Sequence, residues 1–246
     1  MKKNNKRVLL LTGSDSNMYD VLDLTIPSKL KYVRKYGYDF MTISSFKKYP
    51  EYNINSDNDL IDLGFSRTIY MFQMLEHYDI IMWLDSDSII TNNSYNIETF
   101  LTEDHCLFFS YDWAVSPDGS TNFSGFNGGN FIMQSTKDIN ELFSGFVNSA
   151  QQYLSDVGSD QACFNAMYKF TEFKKYIKIL DHKYLNSVPE SILTTSVWGS
   201  DPNRSGPNRT HKIVNPWSED SFMAHLTGCT AEDRIQLLNS HFKKYL

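Results

Sequence analysis

Short apolar runs alternate along this sequence with longer segments in which apolar residues recur at helical spacing. A short continuous apolar run is typical of a buried strand, and apolar residues three and four positions apart are typical of an amphipathic helix. The runs predict strands at Val8–Thr12, Tyr38–Ile43, Asp79–Leu84, Cys106–Tyr111, Phe131–Met133, Ile177–Leu180 and Phe222–Leu226. The helical spacings predict helices at Tyr19–Tyr36, Ser66–His77, Lys137–Leu154, Asp160–Phe170 and Ala231–Tyr245.

Proline and glycine residues modify this pattern in three places. Pro27 should break the first helix, because proline has no N–H group and its ring clashes with the preceding turn. Gly37 follows that helix directly and is a predicted C-cap. The stretch from Trp198 to Trp217 is rich in Gly, Pro, Asn and Arg, so we expect a loop that orders over a bound ligand.

The alternation of strands and helices predicts one α/β domain over residues 1–246, with a mostly parallel mixed sheet flanked by helices. Ligands of such sheets bind beyond the carboxyl ends of the strands. The segments Thr12-Gly13-Ser14 and Asp85-Ser86-Asp87 each follow a predicted strand. Both segments are therefore expected at the ligand-binding edge of the sheet.

Asp85 and Asp87 end the apolar run that begins at Ile80, with one residue between them. Since successive side chains of a strand point to opposite faces, the two carboxylates can share a face. Carboxylate oxygens are preferred ligands of hard divalent cations, and the other ligand positions would fall to further residues, water or a phosphate. This arrangement predicts an enzyme that handles a diphosphate. A solvated turn or a helix N-cap is the alternative.

Composition and charge exclude several classes of protein. The chain has 246 residues, of which 41% are hydrophobic and 15% aromatic, so it can form a full core and is not disordered. A net charge of -6 argues against a nucleic-acid partner. Three scattered cysteines without CxxC spacing indicate reduced thiols. No apolar segment has the length of a signal peptide or a transmembrane anchor, which predicts a cytoplasmic protein.

Several segments, taken in order along the chain, carry a resemblance to a known family. They are Val8–Ser14, Lys31–Tyr38, Trp83–Asp87, Asn127–Phe131 followed by Ser159–Gln161, and His225–Cys229. Together they resemble the metal-dependent, retaining glycosyltransferases with the GT-A fold and the DxD metal motif. The closest similarity is to the galactosyl-, mannosyl- and xylosyltransferase family that includes fungal α-galactosyltransferases and plant xyloglucan xylosyltransferases.

The resemblance implies a Rossmann-like nucleotide-diphospho-sugar transferase domain, with a nucleotide-binding half at 1–112 and an acceptor-binding half at 113–246. It implies that Asp85, Asp87 and His225 bind the metal ion and that Asp160 and Gln161 are catalytic. The donor-binding residues that it implies are Thr12, Gly13, Ser14, Arg67, Ser86, Asn127, Gly128, Gly129 and Gly228.

The same resemblance implies a reaction. A sugar would pass from a nucleotide diphosphate, with UDP favoured, to a hydroxyl group of a glycan or glycoconjugate. An imidazole ligand favours Mn²⁺, although Mg²⁺ is possible. A carboxylate at Asp160 would stabilise an oxocarbenium-like transition state, and the sequence leaves front-face attack and a covalent intermediate both open.

The sequence departs from the family pattern at two points. The family commonly has a lysine suited to a diphosphate soon after the glycine-cysteine pair, where this chain has Thr230. Another cation must replace that lysine, or the role is absent; the candidates are Arg67, Arg234, Arg204, Arg209 and Lys212. The sequence also lacks the membrane anchor and stem of eukaryotic members, which favours a bacterial or viral context.

Simpler interpretations compete with these roles. His225 could be a core histidine, Asp160 a helix cap, Arg67 a surface arginine, and Gly128 and Gly129 a turn into a strand. At the level of function, phosphatases of the Asp-x-Asp type also have an apolar strand that ends in this motif. A catalytically inactive module that binds a nucleotide sugar or a glycan is the other alternative.

Overall fold

The computed structural model describes residues 6–44, 49–52, 59–111, 114–115, 125–157, 159–190, 212–213 and 216–246. Most of the predicted loop from Trp198 to Trp217 lies outside the described residues, including Arg204 and Arg209. The expectation that this loop orders over a ligand therefore stays a prediction.

Strands and helices alternate over most of the described chain. The strands are β1 (Val8–Gly13), β2 (Asp39–Ile43), β3 (Ile80–Asp85), β4 (Ser88–Ile90), β5 (Leu107–Tyr111), β6 (Ala114–Val115), β7 (Phe126–Gln134), β8 (Ile177–Leu180), β9 (Lys212–Ile213) and β10 (Met223–His225). The helices are α1 (Tyr19–Tyr36), α2 (Asp59–Met74), α3 (Ile139–Val157), α4 (Asp160–Phe170), α5 (His182–Leu185) and α6 (Ala231–His241). Short 3-10 helices lie at Ser16–Met18, Pro50–Tyr52, Ile97–Phe100, Glu172–Tyr176 and Lys243–Tyr245.

The central sheet has the strand order β2-β1-β3-β7-β5-β8. β1 is parallel to β2 and β3, and β5 is parallel to β8, whereas β7 runs antiparallel to both of its neighbours. The prediction of an α/β fold with a mostly parallel mixed sheet is confirmed. Because β1 and β3 are parallel neighbours, Gly13 and Asp85 are paired at the same edge of the sheet.

Helices cover both faces of this sheet, so its inner strands are buried on both sides. Leu9 and Leu11 of β1 pack in one apolar cluster with residues of α2, α3 and α4. Val8 and Leu10 pack in a second cluster with residues of α1. Burial on both faces explains why β1 reads as a continuous apolar run rather than an alternating one.

The first helix shows one wrong prediction and one confirmed prediction. Pro27 does not break α1, which continues through it to Tyr36. Pro27 and Asp23 are both exposed, so water can hydrate the carbonyl group of Asp23 that loses its helical hydrogen bond. Gly37 is the C-cap as predicted, with φ 73°, and its N–H donates to the carbonyl of Val33.

Two further elements differ from their predicted bounds. The segment Asn127–Asn130 lies inside β7 rather than before it, because β3 and β5 supply hydrogen-bonding partners on both sides and outweigh weak strand propensity. α2 begins at Asp59, earlier than predicted.

Among the described residues, every helix is too short or too polar to span a membrane.

A second, two-stranded sheet was not predicted. β4 pairs antiparallel with β10, which places His225 opposite Ser88. Its residues are separated by more than 130 positions in sequence, and local patterns do not report such a pairing. This small sheet carries the C-terminal histidine to the segment Asp85–Asp87.

We predict that Gly37→Ala lowers the free energy of unfolding by about 1 kcal/mol. A Cβ atom at this position would meet nothing within 4 Å, so the cost comes from the left-handed backbone alone. Gly37→Asn is the matched control, since asparagine tolerates this conformation. Denaturant unfolding monitored by circular dichroism measures the difference, and equal stabilities of the two variants would contradict the prediction.

Candidate active site

The turn between β3 and β4, and the pairing of β4 with β10, bring the predicted metal ligands together. Asp85 is the last residue of β3, and Asp87 lies in the turn that leads into β4. His225 ends β10, next to that turn. One ligand atom from each of Asp85, Asp87 and His225 lies within 4.8 Å of the other two. The sequence prediction placed these three residues at one site, and the structure places them together.

The donor atoms suit a divalent cation. Asp87 and His225 are buried, while the side chain of Asp85 is 30% exposed and opens toward solvent. Two carboxylates and one imidazole are ligands of Mn²⁺ and related ions, and the open side leaves room for additional oxygen ligands. The residues present therefore fit a bound divalent cation.

Asn186 fixes the orientation of His225. The side-chain N–H of Asn186 donates to the carbonyl of Tyr111 at 2.8 Å, so its amide oxygen faces His225. That oxygen lies 2.8 Å from Nδ1 of His225, which must then carry the proton. Nε2 lies 3.4 Å from the Asp87 carboxylate and is left to face the cluster. Metal-binding histidines in proteins are commonly oriented in this way.

Arg67 joins the first metal carboxylate to α4. Its Nη1 lies 2.7 Å from Asp85, its Nη2 lies 3.0 Å from Asp160, and Nη2 also donates to the carbonyl of Gly128 at 2.8 Å. Burial opposes the charge, but Asp160 and Asp85 raise the pKa of Arg67 above its ordinary value. Arg67 is thus a buried cation within the site, and the interpretation as a surface arginine is wrong.

The pKa of Asp85 lies above its ordinary value, and partial burial is the main cause. Desolvation raises the pKa of Asp85, with Arg67 opposing and Asp87 reinforcing the shift. Asp87 behaves in the opposite way: desolvation raises its pKa, but His225 and Arg234 together lower it below the ordinary value. The two carboxylates therefore differ in environment, and a bound cation would favour the ionised form of both.

Asp160 and Gln161 begin α4 beside this cluster. Ser159 is the N-cap of the helix, so the interpretation of Asp160 as the cap is wrong. The Asp160 carboxylate accepts from Thr68 at 3.0 Å as well as from Arg67, and it lines the cavity described below. The side-chain oxygen of Gln161 accepts from the N–H of Gly128 at 2.8 Å.

A cavity of about 280 Å³ opens in front of these groups. It is lined by Gly13, Ser14, Asp15, Met18, Leu63, Gly64, Arg67, Trp83, Asp85, Ser86, Asp87, Asp160 and Arg234. The hydroxyl group of Ser14 is buried and has no hydrogen-bond partner among the described residues, which suits a ligand atom at this position. The predicted donor-binding residues Gly13, Ser14, Arg67 and Ser86 thus share one cavity.

Other predicted donor-binding residues lie behind or beside that cavity. Thr12 is fully buried, and its hydroxyl donates to the carbonyl of Leu84 at 2.6 Å. Asn127, Gly128 and Gly129 lie in β7, where Asn127 accepts from the N–H of Gly129. Gly228 has φ 79° in the turn before α6.

The comparison with protein families decides the classification. Residues 4–236 match the sequence model of the galactosyl transferase GMA12/MNN10 family. The chain belongs to this glycosyltransferase family. Its central sheet and flanking helices form a GT-A glycosyltransferase fold. A search of curated protein sequences found no significant match.

Solved structures share this fold at low sequence identity. A glycosyltransferase involved in glycosylation of the major capsid of PBCV-1 has a TM-score of 0.62 and 16% identity over 95% of this chain and 98% of that one. The galactosyltransferase LgtC, in complex with donor and acceptor sugar analogues, gives 0.55 and 15% over 97% and 100%. Mouse xyloside xylosyltransferase 1 gives 0.53 and 9% over 89% and 97%. At these identities the likeness shows the fold alone.

The departure at Thr230 has a local explanation. Thr230 is the N-cap of α6 and forms a capping box with Asp233. Arg234, one helical turn later, projects Nε to 2.9 Å from Asp87 and to 3.0 Å from the carbonyl of Leu226. A cation therefore reaches the site from α6. Arg204 and Arg209 lie outside the described residues, as does the side chain of Lys212.

Sequence reasoning missed three side chains that hold the site. Trp83 donates through its indole N–H to Asp85 at 2.7 Å. Asn186 orients His225, and Lys29 lies fully buried beneath the turn of Asp85 and Asp87. A lysine within the buried stripe of α1 is the one signal that the sequence offered, because unpaired buried lysines are rare. Asn186 lies in a polar segment that has no distinguishing pattern.

We predict that Gly129→Ala disrupts the metal cluster. A Cβ atom there would lie 2.6 Å from Oδ2 of Asp85 and 2.7 Å from Cε1 of His225, so both ligands must move. We expect at least a tenfold loss of Mn²⁺ affinity, in the range found when groups around metal ligands are displaced. Calorimetric titration of Mn²⁺ measures it, with Gly37→Ala as the control glycine variant. Unchanged affinity in a folded Gly129→Ala protein would contradict this prediction.

Proposed function

We propose that this chain is an Mn²⁺-dependent retaining glycosyltransferase. In this proposal it moves a sugar from a nucleotide diphosphate donor, with UDP favoured as the nucleotide, to a hydroxyl group of a glycan. The observation that carries the proposal is the cluster of Asp85, Asp87 and His225, whose two carboxylates line a cavity that Arg67 and Arg234 also line. Two carboxylates and an imidazole flanked by guanidinium groups suit a metal-bound diphosphate.

Each residue of the cluster has a distinct role in the proposal. Asp85, Asp87 and His225 would hold the cation, and the imidazole favours Mn²⁺ over Mg²⁺. When bound there, the cation would act as a Lewis acid toward the negative charge that develops on the leaving nucleotide diphosphate. Asn186 keeps the protonated Nδ1 of His225 directed away from the cluster.

Arg234 is proposed as the cation that takes the place of the family lysine. Its guanidinium already lies at the cavity, with Nε 2.9 Å from Asp87 and 3.0 Å from the carbonyl of Leu226. Nη1 contacts only the weak acceptor Sδ of Met18 among the hydrogen bonds described, so the terminal N–H groups can donate to phosphate oxygens, for which the planar guanidinium fork is well suited. Arg67 is committed to Asp85, Asp160 and Gly128, which makes it the weaker candidate.

Asp160 and Gln161 are proposed to face the sugar. Arg67 and Thr68 hold the Asp160 carboxylate at the cavity wall in a fixed orientation, as required of a group that stabilises an oxocarbenium-like transition state. Gln161 binds the N–H of Gly128, which keeps the backbone of β7 close to the cavity. Retention of configuration is proposed on the family resemblance. Solved structures with a similar fold include a galactosyltransferase and a xylosyltransferase, so both a galactosyl and a xylosyl donor are compatible with the proposal.

The first test measures nucleotide binding and turnover together. We expect UDP to raise the melting temperature only when Mn²⁺ is present, because a ligand that binds the native state alone stabilises it. Asp87→Asn should abolish that shift and the release of UDP from UDP-sugars. Asp79→Asn is the matched control: Asp79 precedes the other end of β3, and its carboxylate accepts only from the N–H of Arg7 among the hydrogen bonds described. Proton NMR of the product anomer tests retention.

Three kinds of result would contradict the proposal. The metal-diphosphate site would be ruled out if UDP stabilised the protein without Mn²⁺, or if UDP, GDP, ADP and CMP all failed to stabilise it. Release of phosphate from phosphomonoesters would favour the phosphatase alternative. Binding of donor and glycan with no turnover in the wild-type protein would favour the inactive module.

A second test addresses Arg234. We predict that Arg234→Met weakens UDP binding about tenfold, roughly 1.4 kcal/mol, while UMP binding changes little, because the lost contact is to the second phosphate. Arg234→Lys keeps the positive charge and should recover part of the affinity for UDP. Calorimetric titrations in the presence of Mn²⁺ measure these values. Equal losses for UDP and UMP would assign Arg234 a structural role.

A further inference from the structure

The turn that carries both metal carboxylates lies beyond the end of its neighbouring strand. β1 ends at Gly13, which pairs with Asp85, so the carbonyl groups that follow cannot find partners in β1. Buried carbonyl groups nevertheless require hydrogen bonds. The carbonyl groups from Leu84 to Asp87 therefore need donors other than the backbone of β1.

Lys29 of α1 supplies one of these groups. Its side chain is fully buried, and its Nζ donates to the carbonyl of Asp85 at 3.0 Å. The same atom donates to the hydroxyl groups of Thr12 at 3.0 Å and Thr25 at 3.1 Å. An ammonium group has three protons and no acceptor, so these three oxygens satisfy it completely.

The two threonines extend this arrangement to the neighbouring carbonyls. Each hydroxyl accepts from Lys29 and has one proton of its own to donate. Thr12 donates to the carbonyl of Leu84 at 2.6 Å. Thr25 lies 2.7 Å from the carbonyl of Ser86 and 3.0 Å from that of Leu22, and the shorter contact is the one to the turn. Lys29, Thr12 and Thr25, which we call the lysine hub, thus bind three consecutive carbonyl groups.

Other elements hold the remaining backbone groups of the turn. The side-chain oxygen of Asn130 accepts from the N–H of Asp85 at 3.1 Å and from the hydroxyl of Ser88 at 2.7 Å. The N–H of Leu226, the residue after His225, donates to the carbonyl of Asp87 at 3.0 Å. The lysine hub acts on the side of α1, on the peptide group that precedes Asp85 and on the two peptide groups between Asp85 and Asp87.

We propose that Lys29 is a positioning residue for the metal site: directly, and through Thr12 and Thr25, it fixes the peptide groups from Leu84 to Asp87. This proposal rests on the proposed function, since it gives the metal ligands their role. Lys29 does not line the cavity, so a direct contact with the donor is not part of it. The orientation of these peptide groups sets the directions of the two carboxylates.

The hydrogen bonds of Lys29, rather than its bulk, support the same role. An apolar side chain of similar length would avoid the desolvation of an ammonium group but would leave the carbonyl of Asp85 without its donor. A purely structural lysine would need no connection to three successive carbonyls of a metal-binding turn.

The experiment compares variants of the hub with a variant elsewhere on α1. Lys29→Met and Thr25→Val remove hub donors, while Thr25→Ser keeps the hydroxyl group. Tyr32→Phe is the control, because the Tyr32 hydroxyl is buried on the same helix and accepts from the N–H of Ile97, away from the turn. Mn²⁺ dissociation constants of the nucleotide-free protein, measured by electron paramagnetic resonance, are the main readout, and melting temperatures show the loss of stability.

We expect Lys29→Met and Thr25→Val to weaken Mn²⁺ binding about tenfold or more, as for other groups that orient metal ligands. Thr25→Ser should keep the Mn²⁺ affinity of the wild-type protein. Tyr32→Phe should lower the melting temperature without changing the Mn²⁺ affinity. If Lys29→Met does not fold, the Thr25 pair decides the question. Mn²⁺ affinity within twofold of wild type in folded hub variants would overturn the positioning role. Failure of the wild-type protein to bind Mn²⁺ would instead overturn the proposed function, and the positioning role with it.

Discussion

The site depends on one electrostatic constraint, the close approach of two carboxylates at the end of a central strand. Asp87 is buried and Asp85 is partly buried, and such a pair of like charges is unstable unless positive charge surrounds it. The chain supplies that charge from separate elements: Arg67 from α2, Lys29 from α1 and Arg234 from α6. A bound divalent cation would complete the compensation at the open side.

This constraint explains why so many elements meet at one edge of the sheet. Each cation comes from a different helix: Arg67 and Arg234 contact the carboxylates, and Lys29 contacts the backbone carbonyl of Asp85, so the helices must pack in fixed positions. Arg67 also binds Asp160 and the carbonyl of Gly128, which links the metal ligands to α4 and β7. Stability and the geometry of the site are therefore coupled, and a change in one cation alters the environment of the other groups.

The sheet of β4 and β10 adds the ligand that the first half of the chain cannot provide. His225 arrives opposite Ser88 because two three-residue strands pair over a long separation in sequence. Asn186, from the segment after α5, then sets the direction of its ring. The metal cluster is consequently complete only after the C-terminal part of the chain has packed against the β3–β4 turn.

The sequence by itself determined the fold class and the approximate positions of the strands of the central sheet, and it singled out Asp85, Asp87 and, through the family resemblance, His225, which the structure brings together. Apolar runs and the Asp-x-Asp spacing are local features, so they can be identified from the sequence alone. Only the tertiary structure decided the continuity of α1 through Pro27, the inclusion of Gly128 and Gly129 in β7, and the choice of Arg234 at the carboxylates. Those outcomes depend on solvent exposure, on neighbouring strands and on helix register, which are properties of packing rather than of sequence spacing. The hydrogen bonds of Lys29 belong to the same group, because their acceptors come from three separate elements that meet only in the folded chain.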